Sequence, residues 1–130
     1  MDPVVHFEMP GKDKDRMSKF YETAFGWQTH KLGKEMGEYV VVSTSESEPN
    51  GRPKMPGMIN GGFYTPSADP ASQYPSVVIG VRDLEASLAK VTAAGGQMHG
   101  EPYDIPGVGK YVSIIDTEGN RISLLQPNQM

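Results

Sequence analysis

The sequence predicts an α+β protein of two βαβββ modules, whose curved mixed sheets enclose a cleft, and three observations carry the prediction. Short β-branched runs, among them VVHFEMP (4–10), EYVVVST (38–44) and SVVIGV (76–81), have strand character. Two segments place apolar residues at helical spacing, one after the first of these runs and one after the last. The order of strand, helix and three strands then occurs twice, and a duplicated unit is stronger evidence than either half alone.

Taken in order, the first run puts Val5, Phe7 and Met9 on one face of a strand and His6 and Glu8 on the other. A helix follows, with Met17, Phe20, Tyr21, Ala24 and Phe25 on one face, Asp13 or Asp15 as N-cap and Gly26 as its stop. Core packing is expected for Phe20, Tyr21 and Phe25, with Trp27 under the sheet or at the pocket edge. Strands are expected at 27–31, 38–44 and 58–64, where Gly61 and Gly62 mark a twist, a bulge or a close backbone approach.

The second module opens at 76–81, continues into a helix capped by Asp83 with Leu84, Leu88 and Val91 in one stripe, and stops at Gly95 and Gly96. Strands at 97–100, 110–116 and 121–126 complete it, the last two joined by the turn sequence DTEGN. The organisation expected is one domain over 1–130, with module one at 1–66, a linker at 67–75 and module two at 76–130. The helices cover one face of each sheet, so the face with His6 and Glu8 and a face with Val77 and Ile79 are expected to line the cleft.

Composition narrows the function classes. At 130 residues the chain can bury a core without staples, and with no cysteine it has neither a disulfide nor a thiolate nucleophile. The net charge of −4 and the scatter of Lys and Arg among carboxylates argue against nucleic acid as a partner. No stretch has the pattern of a signal peptide or a membrane span, so the location expected is cytoplasmic, with no membrane partner. No phosphate-cradling loop, nucleophile elbow or zinc-helix motif is present.

The strand followed by DKDRMSKFYETAFGW, the segment VRDLEASLAKVTAAGG and the closing DTEGNRISLLQP resemble the vicinal oxygen chelate superfamily, the group of glyoxalase I, bleomycin-resistance proteins and extradiol dioxygenases. FYETAFGW is most similar to its small bacterial branch related to lactoylglutathione lyase. The resemblance implies paired βαβββ modules, a homodimer and, in metal-dependent members, a divalent ion held from four strands. Carried over residue by residue, the implied ligand positions fall on His6, at or near Gly62, on Val77 and on Ser123. Valine and glycine side chains cannot ligate and a neutral serine is a poor carboxylate substitute, so neither a tightly bound metal nor another cofactor is expected.

His6 and Glu8 are the candidate catalytic pair, since a neighbouring carboxylate raises a histidine pKa and orients the ring for proton transfer near neutral pH. Polar residues lining an inherited cavity, or an ion pair against a partner, are the alternative. Tyr111, Ser113 and Ser123 are candidate substrate-binding residues on the cleft-facing side of their strands. His30 and His99 read as surface residues, and SESEPNGRPKMPG and GEPYDIPGVGK as mobile loops able to close over a ligand. Two functions follow: a glyoxalase-like lyase or isomerase acting on a small molecule without tightly bound metal, or a non-catalytic small-molecule binding protein of the bleomycin-resistance type.

Overall fold

A computed structural model describes residues 1–128, with eight strands and two α-helices in the expected order. The chain divides into two compact units, one formed by His6–Pro75 and the other by Met1–Val5 with the residues from Ser76 onward. Each carries a mixed sheet and one helix. The α+β class with two βαβββ modules is therefore what the chain adopts.

In the first unit, β1 (Val4–Pro10) leads to α1 (Lys14–Phe25), then β2 (Gln28–Lys31), β3 (Val40–Ser43) and β4 (Asn60–Tyr64). The strand order is β2-β3-β4-β1, antiparallel except for the parallel β1–β4 pair, in which Glu8 lies opposite Gly62. Asp13 caps α1 by accepting from the Arg16 N–H, and Gly26 ends it in the left-handed conformation at φ 75°. Val40, Val42 and Phe63 form the buried core, and Phe7, Met9, Met17, Tyr21 and Trp27 pack against it. Tyr21 lies flat on Trp27 with ring centroids 4.7 Å apart.

The apolar face of α1 is narrower than the sequence predicts. Phe20 and Phe25 are 58% and 63% exposed, because Met17 and Tyr21, one turn apart, already fill the contact with the sheet. A shallow groove of about 420 Å³ runs beside Phe20 along Arg16, Lys19, Thr23 and Ala24, on the side of α1 that the sheet does not cover. Lys14 at the helix start is buried, its Nζ donating to Thr65 Oγ1 at 2.7 Å and to the Gly37 carbonyl at 3.2 Å. It thereby ties the helix to the segment before β3.

In the second unit, β5 (Ser76–Gly80) precedes α2 (Leu84–Ala93), β6 (Gln97–Ile105), β7 (Gly109–Ile115) and β8 (Arg121–Pro127). The order is β5-β8-β7-β6, with β5 and β8 parallel and the remaining pairs antiparallel. Val81, Leu84, Val112, Ile114 and Leu124 are buried together, with Ile79, Leu88, Val91 and Ile122 around them. Asp116 shapes the turn between β7 and β8, its carboxylate accepting from the Glu118 and Asn120 backbone N–H groups.

Two expectations are corrected in this unit. Ile79 packs into the helix-side core, so Val77 and Ile79 do not face away from α2; Val78, in register with Ser123, shares the opposite face. A count one residue off moves every side chain of a strand to the other face. The segment GEPYDIPGVGK is a hairpin rather than a free loop, since β6 runs on to Ile105 past an irregularity between His99 and Tyr103 and β7 starts at Gly109.

Candidate functional site

Strand alternation aims Phe7 and Met9 at α1 and turns His6 and Glu8 to the other face of the first unit's sheet. Between them stands Tyr39, which no reading of strand faces singled out. Its hydroxyl lies 3.1 Å from His6 Nε2 and donates to Glu8 Oε2 at 3.5 Å. His6 and Glu8 are thus linked through a phenol rather than paired directly, and Glu8 is only 8% exposed.

Two features place Tyr39 there. It follows Gly37 and Glu38, both left-handed at φ 65° and 56°, which reverse the chain before β3. Its ring also occupies space left by the glycine on β4: a Cβ on Gly62 would fall on the Tyr39 hydroxyl and the adjoining ring carbons. Gly61, next to it, makes the same kind of room for the Phe7 ring on the helix side. The consecutive glycines are therefore a close-approach feature on both faces.

Burial holds His6 down to a pKa of about 4, well below the ordinary 6.5, because a charged imidazole there loses its hydration. The expected upward shift from Glu8 does not occur. At neutral pH the ring is uncharged, with one nitrogen a donor and the other an acceptor.

In the second unit, Ser123 has no exposed surface and its Oγ lies 2.7 Å from the Tyr111 hydroxyl and 3.1 Å from Ser113 Oγ. The three candidates are brought together, with Ser123 behind the two that retain exposure. Ser113 is paired with His99 on β6, so His99, which the sequence reads as a surface residue, shares this face. Tyr103 adds a second ring 5.5 Å from Tyr111. The buried Ser76 hydroxyl at the start of β5 has no hydrogen-bond partner among the described residues.

A divalent metal of the kind the resemblance implies does not fit these donors. In the first unit His6 Nε2 is taken up by Tyr39, and the Gly62 position offers no side chain and no space for one. In the second unit the Ser123 hydroxyl is bonded to two other hydroxyls. Among the described residues, no three His, Cys, Asp or Glu side chains converge as a metal would require.

The segment SESEPNGRPKMPG is tied down rather than loose. Asn60, buried on β4, donates through Nδ2 to Ser47 Oγ at 2.8 Å and to the Gly51 carbonyl at 3.0 Å, while its Oδ1 accepts from the Thr44 N–H. Ser47 also bridges to Pro53. Asn60→Ala is expected to cost about 1–3 kcal/mol and to free the loop. Limited trypsin digestion checks this: cleavage after Lys54 should be markedly faster in the variant than in the parent.

This fold and these strand positions define a class. The chain belongs to the Glyoxalase/Bleomycin resistance protein/Dioxygenase superfamily, whose family model matches residues 4–124. It is 33% identical over 111 residues to proteins named "Putative glyoxylase CFP32" from Mycobacterium bovis and Mycobacterium tuberculosis. Those matches take in 83% of this chain and 38% of the relatives, so the chain spans about two fifths of their length.

Among solved structures, a Streptomyces coelicolor methylmalonyl-CoA epimerase in complex with 2-nitronate-propionyl-CoA superposes with a TM-score of 0.71 at 16% identity, covering 98% of this chain and 96% of that one. A hypothetical protein, BH1468 from Bacillus halodurans, gives 0.72 at 13% identity, with 99% and 96% covered. The Mycobacterium tuberculosis methylmalonyl-CoA epimerase gives 0.64 at 16%, with 95% and 87% covered. At these identities the likeness is one of fold. Separately, no described helix is long and apolar enough to cross a membrane.

Proposed function

We propose that the protein is a glyoxalase-like lyase or isomerase that binds a small molecule against the sheet face carrying His6, Tyr39 and Glu8, and works without tightly bound metal. His6 accepts a proton from a carbon next to a carbonyl, and Glu8 assists through Tyr39. The observation that carries this reading is the continuous hydrogen-bonded path from His6 Nε2 through the Tyr39 hydroxyl to Glu8 Oε2. The epimerase structures complexed with CoA thioesters support chemistry beside a carbonyl. Tyr111 and Ser113, with Ser123 behind them, are the proposed ligand-binding hydroxyls of the second unit. The proposal extends to a cytoplasmic homodimer and to a single domain over 1–130 with modules at 1–66 and 76–130 and a linker at 67–75.

A second reading, a binding protein that sequesters its ligand, is favoured by one observation. With a pKa of about 4, His6 is a weak base, and weak bases abstract protons slowly even when always in the acceptor form.

Both are tested by incubating chelator-treated protein in D2O with methylmalonyl-CoA and with S-lactoylglutathione, thioesters bearing a hydrogen beside the carbonyl. NMR then follows deuterium uptake at that carbon. The enzyme reading expects uptake that survives the chelator and falls on the order of a hundredfold in His6→Ala. Binding of either thioester without uptake above buffer establishes sequestration instead, and uptake that needs added metal overturns the metal-independent mechanism.

A further inference from the structure

We infer that Tyr39 is a positioning residue that fixes the His6 tautomer, holding Nε2 protonated and leaving Nδ1 as the proton acceptor. The argument is one of donors and acceptors. A phenol has one proton, and Glu8 Oε2, a carboxylate oxygen 3.5 Å away, can only accept it. The contact between the same hydroxyl and His6 Nε2, at 3.1 Å, must then be donated by the imidazole. A neutral ring that donates through Nε2 carries its lone pair on Nδ1. The chain of donation runs one way, from imidazole to phenol to carboxylate.

The position is built into the backbone. Tyr39 reaches between His6 and Glu8 only because Gly62 lacks a side chain, and the turn that delivers it is held by Lys14 donating to the Gly37 carbonyl. The same glycine stands at or near the fourth-strand position that the family resemblance implies as a ligand. In the proposed reaction the proton leaving carbon goes to Nδ1, the electron pair stays on the carbonyl-stabilised carbon, and no oxidant or reductant is required.

The catalytic meaning of this assignment rests on the function proposed above, but its test reads the imidazole itself and is independent of turnover. Long-range proton–nitrogen NMR of 15N-histidine-labelled protein at pH 7 reports which ring nitrogen is protonated and how fast that proton exchanges. His6 is expected to show a protonated Nε2 with a protected proton. In Tyr39→Phe, which keeps the ring and removes the hydroxyl, that proton should exchange about tenfold faster. Gly62→Ala, whose methyl expels the ring from its slot, should produce the same loss. A parent protein protonated on Nδ1, or an Nε2 proton that stays as protected in both variants as in the parent, overturns the inference. Intact tautomer control together with no thioester turnover would sink the enzyme reading alone.

Discussion

Between pH 6.5 and pH 4 the protein is expected to lose about 3 kcal/mol of folding stability that a His6→Gln variant does not lose. Burial holds the folded-state pKa of His6 at about 4, against an ordinary value of 6.5. Within that window the unfolded chain binds a proton at His6 and the folded chain does not, so stability rises with pH and falls as acid is added. At about 1.4 kcal/mol per pKa unit the shift gives the stated loss, complete below the folded-state pKa and absent above the unfolded one. His30 and His99 are present in both proteins and cancel in the comparison. Urea unfolding followed by the fluorescence of Trp27, the single tryptophan and a residue of the same unit as His6, measures it. Parallel loss in parent and variant would show that His6 is not held neutral by the fold. The same shift predicts that His6 contributes no inflection to activity between pH 6 and 8, opposite to what a carboxylate-paired histidine would give.

What the sequence showed and what it hid divide along the range of the interactions. The caps at Asp13, Gly26 and Asp83 are local devices, legible because one residue type meets one backbone demand. The placement of His6 and Glu8 on the face away from α1 followed from strand alternation, which needs no knowledge of the partner strands. Tyr39 was invisible for the opposite reason. It precedes β3 and reaches the site through a left-handed turn and a gap on β4, so its partners lie 33 and 31 residues away in sequence. A carboxylate beside His6 can be read from the sequence, whereas the burial that lowers its pKa comes from elements that meet it only in the fold. Phe20 and Phe25 shared the helical spacing of a core face, but spacing does not say how wide a stripe the sheet will cover. Asn60 carries no sequence signal of its role, because the loop it anchors meets it only in the folded chain.

Phe63→Ala is expected to destabilise the first unit by about 3–5 kcal/mol, the largest single-residue effect anticipated for this chain. Phe63 has no exposed surface and sits in one buried cluster with Val40 and Val42, its ring centroid 5.6 Å from that of Tyr21. Removing the ring loses the transfer free energy of its carbons and leaves a cavity walled by β-sheet and α1, neither of which can collapse fully into it. The neighbouring residue on β4 is Gly62, which makes room for Tyr39, so disorder in this strand also loosens the hydrogen-bonded path to His6. Phe20→Ala is the control: that ring is already mostly in water, and its loss should change stability by no more than about 0.5 kcal/mol. Urea titrations of the two variants read by Trp27, which stacks on Tyr21 beside the same cluster, distinguish the cases. Equal midpoints for Phe63→Ala and Phe20→Ala would mean that the strands of the first unit do not bury a common core against α1.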